Sequence, residues 1–168
     1  VYIKLNQSSI MIICYISFGS NRGDRSRNIA KVLDLIKNHF TILNISSFYE
    51  SEPVYTNQTR NFLNGVIKVE TEMTAKETAE TVKKIEYQGG RINMERDADK
   101  IIDLDLLYYG NKAIEQPPVI IPHFVAHQRK YILTAMAEID SEFIHPVTKK
   151  NQKQMLDELN SPKSVVKL

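Results

Sequence analysis

The stretch that decides the fold is IIDLDLLYY, residues 101–109. Side chains of an extended chain alternate between two faces, so Ile102, Leu104 and Leu106 fall on one face and Asp103 and Asp105 on the other. The alternation predicts a strand over 101–109, closed by the turn Gly110-Asn111. Upstream, Arg91–Lys100 reads as a polar, charged loop, and Gly89-Gly90 stops a helix. That helix opens at Thr74-Ala75-Lys76-Glu77, a capping box, and runs to about Gln88. Before it, Phe62–Glu70 reads as a strand, Ser51–Asn61 as a loop containing Pro53, and Thr41–Tyr49 as a strand. Asp24 caps a helix to about Phe40, with Ile29, Val32, Leu33 and Ile36 at helical spacing. Ile12–Phe18 is a strand ending at the turn Gly19-Ser20-Asn21. Downstream, Pro117-Pro118 marks an extended connection, His123–Ile139 contains a helix, and Asn151–Asn160 forms a short one.

The resulting order is β-α-β-β-α-β followed by a helical tail. It predicts an α+β, ferredoxin-like split β-α-β fold: an antiparallel sheet backed by helices, with a helical C-terminal extension. Residues 1–10 read as an irregular N-terminal extension and residues 11–168 as a single domain. The 168 residues are enough to bury one core without covalent staples. Hydrophobic residues make up 42% and charged residues 25%, which argues against wholesale disorder. The net charge of +2 is too small to imply nucleic-acid binding by composition. Cys14 is the only cysteine, so neither an intrachain disulfide nor a Cys-rich metal site can form. It sits in an apolar run and reads as a small buried hydrophobe. No segment approaches the roughly 20 apolar residues of a membrane span, and no secretory signal is recognisable. A reduced, cytoplasmic setting is the default expectation.

Asp103 and Asp105 carry the chemistry. Aspartate is disfavoured in strands, and two like charges on one face repel. A solvated face on an edge strand is one reading. The other is a clamp for Mg²⁺, which takes one or two carboxylates together with phosphate oxygens and water. Arg91, Arg96 and Lys100 before the pair, and Arg129 and Lys130 after it, supply cations that phosphate oxygens need. Alternatively the same residues form a solvated charge run. No Gly-x-x-x-x-Gly-Lys-[Ser/Thr] loop is present, which argues against a P-loop. His123 and His127 stand four apart, but Phe124 occupies the position where a zincin has glutamate, so zinc is disfavoured. Phe62-Leu63-Asn64 joins an aromatic face to an amide that can read the edge of a flat heterocycle. Packing in a core is the plainer alternative.

Taken in order, the stretches YISFGSN (15–21), SSFYESEP (46–53), Phe62-Leu63-Asn64, Ile85-Glu86 with Gly90-Arg91, IDLDL (102–106), Pro122-His123 and Arg129 resemble the 6-hydroxymethyl-7,8-dihydropterin pyrophosphokinases of folate synthesis. The similarity runs from about Ile12 to Leu159. The resemblance implies Mg²⁺-dependent transfer of the β,γ-pyrophosphoryl group of ATP to the pterin hydroxymethyl group, leaving AMP. It implies that Asp103 and Asp105 hold two Mg²⁺ ions. Arg91 and Lys100 take part in catalysis on the same ground, and Glu86, Arg91, Lys100, His123 and Arg129 match ATP-site positions. Phe62 and Asn64 match the stacking and edge-reading pterin positions, Tyr131 a second aromatic, and Ser51 and Val54 the loop lining the same pocket. The expected partners are ATP and the pterin, with no nucleic acid, no membrane and a monomeric state. Three departures fall in one loop. Asp97-Ala98-Asp99-Lys100 stands where the family has aromatic-Gly-Pro-Arg, Asn93 stands where a second Arg is common, and the loop is one residue shorter than in some members. Lys100 keeps the charge of an Arg but not its bidentate fork. A member that binds pterin without turnover, and a ferredoxin-like RNA-binding module, remain as alternatives.

Overall fold

The computed structural model describes residues 10–54, 60–90 and 98–168. The first strand, β1 (Ile12–Ser20), leads into α1 (Arg25–Lys37). Asp24 caps α1 by accepting the Arg27 N–H. The helix stops three residues short of the expected end. The N–H groups of His39 and Phe40 both bond to the Ile36 carbonyl, which closes the last turn. Next come β2 (Thr41–Ile45), β3 (Tyr49–Ser51) and β4 (Phe62–Thr71). The single strand expected over 41–49 is broken because Ser46 uses its side chain as well as its backbone. Its N–H bonds to the Val66 carbonyl, and its Oγ accepts the Val66 N–H at 2.9 Å.

The second helix, α2 (Ala75–Gly89), starts at the capping box foreseen at Thr74 and Glu77. It ends on Gly90, whose φ of 113° lies in the left-handed region that only glycine enters without strain. Strand β5 (Asp103–Tyr109) follows, then a hairpin of β6 (Ile114–Gln116) and β7 (Val119–Ile121) where the sequence suggested only an extended connection. Two further helices, α3 (Lys130–Asp140) and α4 (Gln152–Glu158), precede β8 (Val165–Lys167). Strand β8 is a departure from the all-helical tail. Its β-branched residues pair with the outer edge of β3, which would otherwise stand open.

The sheet runs β5-β1-β4-β3-β8, with β2 also on β4, and the pairings are antiparallel. This is the expected ferredoxin-like arrangement, covered on both faces. On one face Cys14, Ile16, Phe18, Ile67, Val69, Leu104 and Leu106 pack under α1 and α2 against Ile29, Val32, Ile36, Val82 and Ile85. On the other, Tyr15, Val66, Leu107 and Tyr108 pack under α3 against Ile132, Ala135 and Met136. A register shift opposite Tyr15 and Ile16 puts consecutive residues Leu107 and Tyr108 on the same face. The Asp140 carboxylate at the end of α3 accepts from Lys68 Nζ at 2.6 Å and from the Tyr15 hydroxyl, tying that helix to the sheet. Cys14 is fully buried, as read from its apolar run, and burial pushes its thiol up to about 12. Among the described residues no helix is long and apolar enough to cross a membrane.

Candidate active site

The second face of the sheet is left open at one end, where β1, β4 and β5 meet the segment leading into α3. Asp103 and Asp105 project there from β5, paired in register with Gly19 and Ser17 of β1. Each has its own cation. Lys100 Nζ lies 2.9 Å from Asp103 Oδ1, and Lys83 Nζ of α2 lies 3.1 Å from Asp105 Oδ1. His123 Nε2 is 3.7 Å from the same oxygen of Asp105, and the His123 N–H bonds to the Leu107 carbonyl at 2.9 Å, which holds the residue beside β5. Burial pushes the Asp105 carboxyl upward. The charges of Lys83 and His123 outweigh it, and the net result lies below the usual carboxylate range. Burial lowers His123 below its ordinary value, although Asp105 pulls the other way.

The entry to β5 is pinned from β1. Asn21 is buried, and its Oδ1 accepts the Lys100 N–H at 2.6 Å. Its Nδ2 donates to Asp99 Oδ1 at 2.7 Å, and its own N–H bonds to the Lys100 carbonyl at 3.0 Å. The Gly-Ser-Asn turn of the sequence therefore fixes where Lys100 and Asp103 stand.

Two cavities meet at Asp105. The first, of about 350 Å³, is walled by Phe62, Asn64, Ser51, Val54, Tyr131 and Arg129, with both aspartates on its floor. Asn64 Nδ2 donates to Ser51 Oγ at 2.7 Å, so one amide hydrogen is committed to the wall. Gly19 approaches so closely that a Cβ there would lie 2.7 Å from Asn64 Oδ1. The second cavity, of about 340 Å³, is more apolar and is walled by Val82, Leu106, Pro118, Val119 and Ile121. Lys83, Asp105, His123 and Phe124 belong to both.

Most of the residues singled out in the sequence thus come together. Glu86 is placed differently from a cavity wall: it is buried, and its Oε1 accepts the Leu104 N–H at 2.8 Å. Arg91, Asn93, Arg96 and Asp97 lie outside the described residues. Lys83, Phe124 and Gly19 were not foreseen as site residues. For Lys83 a signal existed, since it stands three residues before Glu86 and shares its helix face. The donor set suits a hard cation. Two carboxylates share one face, and a hard cation that takes one or two protein carboxylates draws its other ligands from phosphate oxygens and water.

The fold and site define an α+β protein of the ferredoxin-like type, with two cavities that meet at the open end of its sheet. The sequence profile of 7,8-dihydro-6-hydroxymethylpterin-pyrophosphokinase matches residues 15–141. The 2-amino-4-hydroxy-6-hydroxymethyldihydropteridine pyrophosphokinase of Haemophilus influenzae is 31% identical over 138 residues, covering 81% of this chain and 86% of that protein. The folic acid synthesis protein fol1 of Schizosaccharomyces pombe is 33% identical over 151 residues, covering 89% of this chain but only 21% of that protein. The chain therefore spans about a fifth of the length of this longer relative. The HPPK-DHPS protein of Plasmodium falciparum superposes with a TM-score of 0.72 at 16% identity, over 90% of this chain and 45% of that one. The chain belongs to the 7,8-dihydro-6-hydroxymethylpterin-pyrophosphokinase family.

Proposed function

We propose that the chain transfers the β,γ-pyrophosphoryl group of ATP to the hydroxymethyl oxygen of 6-hydroxymethyl-7,8-dihydropterin, giving AMP and the pterin diphosphate. The observation that carries this reading is the pair of cavities meeting at Asp105 and His123. A bisubstrate transfer needs two chambers that converge on the reacting atoms. The first chamber suits the pterin: Phe62 and Tyr131 offer ring faces, and Asn64 offers its amide to the heterocycle edge. The second, more apolar chamber suits the nucleobase of ATP.

Mg²⁺, when bound, would supply charge neutralisation on the phosphate oxygens. Asp103 and Asp105 would hold it, two ions being expected. His123 lines both cavities, Arg129 lines the first, and Lys100 stands beside Asp103; these three would meet the phosphate chain, and Arg91 is assigned with them on resemblance. The acceptor hydroxyl, oriented by the carboxylate pair, attacks the β-phosphorus. The new O–P bond forms as the bond to the bridging α,β oxygen breaks, the hydroxyl proton passes to water, and AMP leaves with the bridging oxygen. The same reading carries the expectations of a monomer acting in the cytoplasm.

A coupled assay of the purified chain with ATP, Mg²⁺ and the pterin tests this. AMP should form in step with pterin consumption. Asp103→Ala and Asp105→Ala should each lower turnover at least about 100-fold, the scale of losing one strong electrostatic contact to the transition state. ADP as the nucleotide product would overturn the reading. Pterin binding without AMP release would instead identify a member that has lost turnover.

A further inference from the structure

Strand β5 is the outer strand of the sheet, beyond β1. The residue between its two aspartates, Leu104, nevertheless has both backbone polar groups satisfied from α2. Glu86 Oε1 accepts the Leu104 N–H at 2.8 Å, and Lys83 Nζ donates to the Leu104 carbonyl at 2.7 Å. Lys83 and Glu86, one turn apart on the helix, thus do the work of a neighbouring strand at a single residue. The same ammonium reaches Asp105 Oδ1 at 3.1 Å and Glu86 Oε2 at 3.4 Å. It stands at the wall common to both cavities.

One ammonium with several acceptors can give up one and keep the others. A divalent cation that took the Asp105 oxygen now held by Lys83 would displace that contact. We propose that Lys83 is a positioning residue that competes with a divalent cation for Asp105 Oδ1 while keeping its hold on the Leu104 carbonyl, and so sets how tightly the site takes the cation. This rests on the metal role given to Asp103 and Asp105 above. The Lys83 side chain is 54% exposed, so the contact with Asp105 is worth what a half-solvated ion pair is worth and not what a buried one is. The competition is therefore modest, and the cation can win it.

Titration of the full chain with Mn²⁺ alone, followed by electron paramagnetic resonance of the free ion, reads the competition directly. Lys83→Met should bind Mn²⁺ about fivefold more tightly than the wild type, the ratio expected for removing a half-exposed ion pair. Lys83→Arg, which keeps the charge, should stay near the wild type. In an Asp105→Asn background Lys83→Met should change nothing. Should Lys83→Met fail to fold, Lys83→Gln keeps a donor for the Leu104 carbonyl without the charge, and the same tightening is expected. A residue that only held the fold together would weaken cation binding when lost. Unchanged or weaker Mn²⁺ binding in a folded Lys83→Met or Lys83→Gln variant therefore overturns the proposal. If the pyrophosphoryl-transfer reading alone is wrong, the wild type makes no AMP while these Mn²⁺ differences persist.

Discussion

Gly19 shows how one absent atom shapes a binding wall. It lies on β1 opposite Asn64 of β4 and Asp103 of β5, where the strands bring an amide and a carboxylate to the same opening. A methyl group at this position would sit 2.7 Å from Asn64 Oδ1 and 3.4 Å from Phe62 Cδ1. Backbone on both sides prevents β1 from withdrawing, so the Asn64 amide must turn and its 2.7 Å bond to Ser51 Oγ must lengthen. Loss of that alignment removes about 1 kcal/mol of hydrogen bonding and the edge complementarity built on it. Gly19→Ala should accordingly weaken pterin binding by roughly tenfold. The apparent affinity for ATP should hardly change, because Gly19 borders only the first cavity. Fluorescence titration with the pterin, set beside KM for ATP, separates the two effects. An equal loss for both ligands would place Gly19 in the general integrity of the sheet instead.

At the scale of elements, α2 carries the site through its ends and one face. Its start is held by reciprocal bonds. Glu77 accepts the Thr74 N–H at 2.8 Å, and Thr74 Oγ1 accepts the Glu77 N–H at 3.3 Å. The hydrogen bonds from Thr74 hold the exposed Glu77 carboxyl below its usual value. Thr74→Ala should cost about 1 kcal/mol of unfolding free energy, readable as a shifted urea midpoint, with turnover preserved in the folded fraction because Lys83 and Glu86 lie more than two turns away. The boundaries of this helix, and the alternation that sorts Leu104 from Asp103 and Asp105, were legible because each follows from residues within a few positions of one another. What could not be read depends on distant partners. The Ser46 side chain that splits β2 from β3 bonds to Val66, twenty residues on. The second role of Lys83 depends on a strand that follows it by about the same distance. Strand β8 exists because β3 has an open edge, and β3 itself appears only once Ser46 breaks the longer strand. The shift that puts Leu107 and Tyr108 on one face is a property of the β1–β5 pairing, and no local pattern announces it.

The whole molecule is a sheet covered on two sides, and the second cover is the one exposed to acid. The α3 residue Glu138 binds the turn between β2 and β3 through the Ser47 N–H and hydroxyl, β3 through the Tyr49 hydroxyl, and β8 through Lys167. Desolvation opposes its charge. The hydrogen bonds from Ser47 and Tyr49 prevail and hold the carboxyl down to about 2. Behind Tyr108 sits His145, its ring 5.6 Å from that of Tyr108 and 5.4 Å from that of His127. Its Nδ1 accepts the N–H groups of Val147 and Thr148 at 3.1 and 3.2 Å, which fixes the turn before α4. Burial, together with the neighbouring His127, lowers His145 to about 4. A histidine depressed on folding takes up its proton in the unfolded chain first, so stability falls as pH drops from about 6.5 to 4. The loss from the shift of this one group is at most about 3 to 4 kcal/mol. Glu138 adds a second decline below its unfolded value, from about 4.5 toward 2. Urea midpoints at pH 7, 5.5 and 4 should therefore fall in order. Asn in place of His145 keeps an acceptor for the two backbone N–H groups and removes the proton. His145→Asn should lose less stability between pH 6.5 and 4 than the wild type, and should fall in parallel with it below that range. An unflattened upper limb in His145→Asn would move the acid sensitivity of this face to another group.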